Sequence, residues 1–311
     1  MKILICPLNW GLGHATRCVP IISNLISEGH EIVIVSDGYP LELLKQEFPT
    51  HRFFELPSYS VQYSKSKWQV GAMMQSFPAI LRGIFRENRW LNQLLKIEHF
   101  DQVISDNRFG MWNKQVHSIY ITHQLMVKMP EGLKFLEPII WLIHRCFIYQ
   151  YNECWIPDIE QKPGFSGDLA HKYPVPKHAK FIGPLSRFNG LKNTITNNDY
   201  EVVAVLSGVE PQRTIFENEL IAKYRNEPFK ILIVKGQPEI TKVETNIGNI
   251  TIVSHLSSNE MEAVLKGAKR IVSRSGYTTI MDLAALSCLE KAEFFPTPGQ
   301  TEQEYLCLVH S

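Results

Sequence analysis

The sequence predicts an α/β protein built from two doubly wound domains, each with a parallel sheet. Short runs of β-branched and aliphatic residues alternate with longer helical segments along the 311 residues. The strand runs are almost continuously apolar, as strands are when helices cover both faces of a parallel sheet. The alternation pauses once, between residues 183 and 203, and then starts again. Two α/β units joined by a linker explain both the alternation and the pause.

Ten runs have the composition of strands, and the segments between them have one apolar helical face. In VPIISNLISEG (19–29), for example, Ile22, Leu25 and Ile26 fall on one side of a helix. The strand runs of the first part are KILIC (2–6), EIVIVS (31–36), QVIS (102–105), SIYIT (118–122), ECWIP (153–157) and KFIG (180–183). Those of the second part are VVAVLSG (202–208), KILIVK (230–235), ITIVSH (250–255) and RIVSRS (270–275).

The pause at 183–203 predicts the domain boundary. It is rich in Asn, Gly and Thr and has no apolar period, which is typical of a linker. We therefore expect Rossmann-like domains at 1–185 and 186–311 that face a cleft, since ligands of open α/β sheets bind beyond the carboxyl ends of the strands. The second domain shows four clear strands before FFPTPGQTEQEYLCLVHS (294–311), so it is expected to be incomplete by one or two elements.

Composition excludes several classes of function. Hydrophobic residues make up 44% and charged residues 20% of the chain, as in soluble globular proteins. A net charge of +1 gives no global attraction for nucleic acid. The six cysteines form no C-x-x-C pair, and no Asp-x-Asp is present, so neither zinc nor a bridging metal is expected. The N-terminus lacks the features of a signal peptide, which predicts a cytoplasmic protein.

A glycine-containing turn follows the first strand, in NWGLGHATR (9–17). Gly11 and Gly13 allow the backbone to turn tightly and approach a ligand, and the start of the next helix offers free N–H groups. His14 is placed at this helix start, where an imidazole can take up a proton near neutral pH. A glycine turn without any ligand is the alternative.

The same turn has a second interpretation, as part of an NAD site. Asp37 ends the second strand at roughly the distance expected for an acid that binds a ribose. The fingerprint is incomplete, because Thr16 occupies the position of its third glycine.

Polar residues follow two further strands of the first domain. VISDNRFG places Asp106 just past a strand, and SIYITHQ places His123 past the next one. Asp106 is the second candidate for a general base, or orients His14, and His123 is expected on the acceptor side together with Gly11 and Gly13. Ordinary turn chemistry and strand capping are the alternatives.

Three segments of the second domain suit an anionic, hydroxylated ligand. In VLSGVEPQR, the small residues Ser207 and Gly208 precede Arg213, and such a turn can hold an anion through backbone N–H groups. In SRSGYTTIMD, a helix start favours negative charge, which predicts a diphosphate site or else an ordinary helix cap. The residues concerned there are Arg274, Ser275, Gly276 and Thr278. In PTPGQTEQEYL, Gln300, Gln303 and Glu304 could hydrogen-bond sugar hydroxyls.

These motifs together resemble those of GT-B glycosyltransferases of family 28, which includes the N-acetylglucosaminyltransferase of lipid II synthesis. GLGHATRCVP (11–20) resembles the family's glycine-rich loop, SRSGYTTIMDLAAL (273–286) its donor-binding segment, and PTPGQTEQEYL (296–306) its closing loop. The resemblance implies that Asp282 binds the ribose, that Ser275 and Gly276 bind phosphate, and that backbone near Leu256 contacts the base. It also implies that Gln303 and Glu304 bind the sugar.

The resemblance implies a hexosyltransferase without a cofactor. A hexose or N-acetylhexosamine would move from a nucleotide diphosphate sugar, expected to be a UDP-sugar, to an acceptor hydroxyl, with inversion and without a metal. His14 is the first candidate for the general base, and Arg274 or Arg213 would neutralise the leaving diphosphate. A sugar-nucleotide epimerase, a non-catalytic nucleotide-sugar-binding protein and the NAD oxidoreductase are the alternatives.

Two segments of the first domain concern the acceptor. Residues 68–95 and 133–151 mix aromatic, aliphatic and arginine residues at helical spacing. Such faces can lie on a membrane surface and receive a lipid-linked acceptor, and they can equally be packed into the core of the domain. The partners expected are thus a nucleotide sugar, a glycan or lipid-linked acceptor and a peripheral contact with the inner face of the cell membrane, but no nucleic acid.

Overall fold

The computed structural model describes residues 1–58, 69–190, 195–208, 210–238 and 241–311, and for residues 69–77 it describes the backbone alone. Its strands form two sheets, one in each half of the chain. The last strand of the first sheet ends at Phe181 and the second sheet begins at Val202. Between them, the described part of the predicted linker contains neither helix nor strand, and its residues 191–194 lie outside the described residues.

The first sheet has seven parallel strands in the order β3-β2-β1-β4-β5-β6-β7. They are β1 (Lys2–Pro7), β2 (Glu31–Ser36), β3 (Arg52–Glu55), β4 (Gln102–Asp106), β5 (His117–Ile121), β6 (Glu153–Ile156) and β7 (Ala179–Phe181). The order in which the strands are added reverses between β1 and β4. These two strands are parallel neighbours, and their last residues, Pro7 and Asp106, are paired. Such a reversal opens a crevice at the carboxyl ends of the strands, where ligands bind.

The second sheet repeats this arrangement with six strands in the order β10-β11-β9-β8-β12-β13. They are β8 (Val202–Val205), β9 (Ile231–Val234), β10 (Glu244–Ile247), β11 (Ile250–Val253), β12 (Arg270–Ser273) and β13 (Ala292–Phe294). Only β10 is antiparallel to its neighbour among the described strands. The reversal lies between β8 and β12, so the segments that follow Val205 and Ser273 meet at one crevice.

Helices cover both sheets. They are α1 (Gly13–Ser27), α2 (Gly38–Glu47), α3 (Gln69–Ile97), α4 (Glu137–Ile148), α5 (Asp168–His171), α6 (Gln212–Tyr224), α7 (Ser258–Gly267), α8 (Tyr277–Ala285) and α9 (Thr301–His310), with short 3-10 helices at Glu131–Leu136 and Leu289–Lys291. The start of α7 follows directly from sequence, because Ser257 and Glu260 form a capping box.

Helix α9 belongs to the second half of the chain but is bound to the first domain. The hydroxyl of Thr301 donates to the carbonyl of Lys128 over 2.6 Å, and the backbone N–H of Asp168 donates to the hydroxyl of Tyr305 over 2.7 Å. The last helix of the chain thus ties the two domains together.

The structure confirms the predicted fold class, and each of the ten predicted strand runs overlaps a strand. Ile3, Leu4 and Ile5 of β1 have no exposed surface. The continuous apolar pattern predicted this, because it is typical of a strand covered on both faces. Strands β3, β10 and β13 were not predicted. They are three or four residues long and pair at the edges of the sheets, where partial exposure removes the apolar signal.

The loop after β4 approaches helix α3 so closely that it requires a glycine. A Cβ atom added to Gly110 would lie 2.3 Å from the carbonyl oxygen of Ile84 and 2.7 Å from the Cβ of Glu87. Both atoms belong to the body of a helix, so the loop itself would have to move.

We therefore expect Gly110→Ala to lower the free energy of unfolding by about 1–3 kcal/mol, because the loop and α3 must separate. Urea denaturation followed by circular dichroism measures this. Gly132→Ala is the matched control, since no atom lies within 4 Å of its added Cβ. Equal stability of the two variants would contradict the close approach.

Candidate active site

The crevice of the first sheet brings His14 and Asp106 together. Helix α1 begins at Gly13, after the turn that follows β1, and β4 ends at Asp106. The His14 Nδ1 atom lies 2.6 Å from the Asp106 Oδ1 atom. Asp106 has no exposed surface. These are the two residues that the sequence predicted for the catalytic base and its partner.

Arg17 joins this pair and neutralises the buried carboxylate. Its Nε and Nη2 atoms donate to the two carboxylate oxygens of Asp106. Burial opposes ionisation of Asp106, but Arg17 and then His14 outweigh it and lower the pKa of Asp106 to about 2. Sequence analysis missed Arg17, although its place three residues after His14 puts both side chains on one face of α1.

His14 is held as a neutral imidazole. Burial and then the charge of Arg17 lower its pKa below the ordinary value, against the opposing effect of Asp106. A neutral ring has one N–H, and the short contact with Asp106 places it on Nδ1. The Arg17 Nη2 atom lies 2.9 Å from the same Nδ1 atom. Because Nδ1 carries the proton and Arg17 can only donate, the two groups interact there through the charge of Arg17 and not through a hydrogen bond. The Nε2 atom of His14 then keeps a free lone pair and can accept a proton.

The cluster continues across the cleft through His123. The Nη1 atom of Arg17 donates to His123 Nδ1 over 2.9 Å, so His123 carries its proton on Nε2 and donates it to Glu302, also over 2.9 Å. The His123 ring stacks on Tyr277 with 4.1 Å between centroids. Burial raises the pKa of Glu302, but the hydrogen bond from His123 more than offsets this, and its pKa is lowered.

The start of helix α8 faces the start of α1. The Thr278 hydroxyl donates to the Gly13 carbonyl over 3.2 Å, and a Cβ at position 13 would lie 2.9 Å from that hydroxyl. Within the described residues, the backbone N–H groups of Tyr277, Thr278 and Thr279 have no hydrogen-bond partner. Helix starts carry partial positive charge, so these amides can bind an anion at the cleft.

Arg274 and Ser275, predicted to bind phosphate, have their side chains engaged within the domain. Arg274 is 4% exposed, donates to the carbonyl of Pro296 over 2.9 Å and lies over the ring of Phe216 at 4.0 Å. The Ser275 hydroxyl donates to the carbonyl of Gln303 over 2.7 Å. In this structure both side chains fix the loops around the start of α8, which leaves its amides to face the cleft beside Gly276.

Ser207, Gly208 and Arg213 lie on another side of the cleft, together with Gly11. They line a cavity of about 160 Å³ between the two domains. A Cβ at Gly11 would lie 3.6 Å from the Cα of Gly208, so the two glycine turns are in contact. The guanidinium of Arg213 is paired with Glu210.

The remaining predicted donor residues do not meet in this cluster. Asp282 accepts a hydrogen bond from Ser186 of the linker over 2.6 Å, and burial raises its pKa to about 6. Leu256 packs against the core of the second domain. Gln300 precedes α9 as its N-cap residue.

The side chains of Gln303 and Glu304 stabilise the loop that precedes α9. They accept hydrogen bonds from the backbone N–H groups of Thr297, over 2.8 Å, and Gly299, over 3.0 Å. The residue of this helix that reaches the cluster is Glu302, which sequence analysis missed. Its neighbours in the sequence are equally polar, and only the direction of α9 distinguishes it.

Asp37 does not face a ligand site. Its carboxylate accepts from the backbone N–H of Ser58 over 3.0 Å, from the Ser58 hydroxyl over 2.6 Å, and from Arg108 over 3.3 Å. The acid required by the NAD interpretation is thus used to hold loops of the first domain. Across the described residues, no group of three or more His, Cys, Asp and Glu side chains is arranged to bind a metal ion.

We expect His14 to remain neutral at pH 6.5 and to titrate at still lower pH in an Asp106→Asn variant, because Asp106 is the group that raises its pKa. Histidine-selective NMR titration measures both proteins. The signals of His99, whose side chain is 84% exposed, serve as the reference in both spectra. Titration of His14 above pH 6.5 would contradict the arrangement with Arg17.

Comparison with known proteins supports the fold at low sequence identity. No protein-family model matches the sequence, and no curated protein does. Among solved structures, spinosyn rhamnosyltransferase SpnG, complexed with thymidine diphosphate, is 12% identical, with a TM-score of 0.63 over 99% of this chain and 84% of that one. The glycotransferase of kitacinnamycin is 14% identical, with a TM-score of 0.57 over 99% and 94% of the two chains.

A third similar structure is a candidate UDP-N-acetylglucosamine 2-epimerase from Listeria monocytogenes. It is 12% identical, with a TM-score of 0.56 over 98% of this chain and 86% of that one. At these identities the likeness concerns architecture. With its two reversed α/β sheets and a cleft between them, the chain has the GT-B fold of two Rossmann-like domains.

Proposed function

We propose that the protein transfers a hexose or N-acetylhexosamine from a nucleotide diphosphate sugar, a UDP-sugar, to an acceptor hydroxyl. One observation carries the proposal: the unpartnered amides at the start of α8 lie against Gly13, next to the His14–Asp106 pair. An anion site and a neutral base thus share one cleft, as transfer from a diphosphate leaving group requires.

In the reaction, His14 Nε2 takes the proton of the acceptor hydroxyl as its oxygen attacks the anomeric carbon. The bond from that carbon to the diphosphate oxygen breaks, and attack from the opposite face inverts the configuration. Asp106 stabilises the imidazolium that forms, and general base assistance of this kind contributes roughly 10²–10⁴ in rate.

Charge on the leaving diphosphate is met by the helix starts. Arg274 and Arg213 were predicted for this role, but their guanidinium groups are engaged by Pro296 and Glu210. The amides at the start of α8, with the dipoles of α8 and α1, are better placed to bind the departing charge. No step requires a metal or a cofactor.

The similar structures support this proposal in general terms. Two of them are a glycotransferase and a rhamnosyltransferase, and the second of these holds thymidine diphosphate. The third is a candidate epimerase, and epimerisation is therefore the second candidate function. An epimerase alters the sugar of its nucleotide sugar without an acceptor, so incubation of UDP-N-acetylglucosamine alone, with NMR detection of the 2-epimer, distinguishes the two activities.

We further propose that the acceptor is lipid-linked and that the first domain docks on an anionic membrane surface from the cytoplasmic side. Helix α4 and the turn before it expose an apolar face: Phe135, Ile139, Leu142, Ile143 and Tyr149. Arg82, Arg86 and Arg89 lie on the exposed face of α3. The two helices are neighbours, because Phe147 of α4 packs in one cluster with Leu81 and Ile84 of α3.

An apolar face beside a row of arginines suits the interface of an anionic lipid bilayer. The other segment predicted to contact the membrane, 68–95, contributes these arginines, although Trp68 and the side chains of 69–77 lie outside the described residues. Within the described part of the chain, no helix combines the length and the apolar character needed to cross a membrane.

We expect His14→Ala to lower turnover by about 10²–10⁴, because the variant loses its proton acceptor. Donor affinity should stay within about twofold, since the anion-binding amides of α8 are untouched. A thermal-shift screen of UDP-, GDP- and TDP-sugars identifies the donor, and a release assay for the nucleoside diphosphate measures turnover.

His99→Ala is the matched histidine control, because His99 lies on the surface and pairs with Asp101. Unchanged turnover in His14→Ala would remove His14 from the mechanism. A failure of all three nucleotide classes to stabilise the protein would remove the proposal itself.

We expect Leu142→Gln with Ile143→Gln to weaken binding to phosphatidylglycerol vesicles by at least about tenfold, because two exposed apolar side chains no longer enter the interface. Vesicle sedimentation measures the effect, and the remaining binding should fall with added salt. Leu308→Gln, on α9, is the control, since its side chain is 83% exposed and does not belong to the apolar face of α4. Equal binding by all proteins would contradict a docking role for α4.

A further inference from the structure

The first domain contains another cavity, of about 500 Å³, away from the cleft between the domains. It lies between the second half of α3 and residues 112–115. These residues lead into β5, whose first residue, His117, is paired with Gln102 at the amino end of β4. His14 and Asp106 lie beyond the carboxyl ends of the strands in the same sheet. The cavity therefore lies at the opposite end of these strands.

A ladder of three asparagines forms one wall. Asn88 Nδ2 donates to the carbonyls of Gly110 and Trp112, over 3.1 and 2.8 Å. Asn92 Nδ2 donates to Asn88 Oδ1 over 2.9 Å, and Asn113 Nδ2 donates to Asn92 Oδ1 over 2.5 Å. Each amide is held by its neighbour, and Asn92 and Asn113 each keep a second N–H that has no partner in the described part of the chain.

The rest of the lining consists of two lysines, a tryptophan, Leu95 and Gln115. Lys96 and Lys114 both line the cavity, and neither forms an ion pair with any described residue. No carboxylate contributes to the lining. Trp112 adds an aromatic surface, and its indole N–H has no hydrogen-bond partner among the described residues. The cavity therefore offers hydrogen-bond donors and positive charge, with no acid to neutralise them.

We propose that this cavity binds an anionic saccharide. The acid group pairs with Lys96 and Lys114, the hydroxyl oxygens accept from the free N–H groups of Asn92 and Asn113, and the apolar face of the sugar ring packs on Trp112. The volume is that of sites for small ligands. A ligand of this kind supplies the negative charge that the lining lacks, and acceptors for its free N–H groups. The site is independent of the transferase proposal.

Isothermal titration calorimetry on the full chain tests the site with glucose 6-phosphate and with glucuronate as probes. We expect at least one of them to bind with a millimolar Kd. Glucose, which lacks the acid, and inorganic phosphate, which lacks the ring, should each bind about tenfold more weakly, because each forfeits one set of contacts. Which probe binds distinguishes a phosphate from a carboxylate as the acid group.

The lysines supply the matched variants. Lys96→Gln and Lys114→Gln should each weaken binding of the saccharide probe by about tenfold. Lys177→Gln, at an exposed lysine outside the cavity, should leave it unchanged. All three side chains are exposed, and equal Tm values would confirm that the variants fold.

Three results would overturn the proposal. Inorganic phosphate binding as tightly as glucose 6-phosphate would reduce the cavity to an ion site. Identical affinities in the Lys96, Lys114 and Lys177 variants would place the saccharide elsewhere. Absence of binding by both glucose 6-phosphate and glucuronate would leave no saccharide site.

Discussion

The buried ion pair between Arg17 and Asp106 is the interaction on which the cleft depends. A carboxylate with no exposed surface is costly unless a cation and hydrogen bonds compensate it, and Arg17 supplies both. The same guanidinium fixes the proton of His123 on the atom that faces Glu302. Arg17 therefore balances the charge of the His14–Asp106 pair. It also sets the direction of the hydrogen bond from His123 to Glu302 of the second domain.

The fold brings these groups together through the reversal point of each sheet. In the first sheet the ends of β1 and β4 present the glycine turn and Asp106. In the second the ends of β8 and β12 present Ser207 and the start of α8. The first domain supplies His14 and Asp106 and the second supplies the amides of α8, so the proposed chemistry draws on both domains.

The two-domain α/β architecture could be predicted from the sequence, because continuous apolar runs and amphipathic helices are local signals. The sequence also indicated His14 and Asp106, since each follows a strand at the edge where ligands bind. It could not assign Arg274, because an arginine at a helix start looks the same whether it faces a phosphate or the carbonyl of Pro296. Glu302 was missed for a related reason, as its role depends on where the end of the chain returns to the first domain.

The contact between Thr278 and Gly13 has a consequence for access to the cleft. With 3.2 Å between the hydroxyl and the carbonyl, no group fits directly between these two atoms, so an anion bound by the amides of α8 lies beside this contact. Any widening of the cleft at this point breaks that hydrogen bond. Ser186, in the segment between the two sheets, is held to the buried Asp282 of the second domain, so this part of the connection stays with that domain.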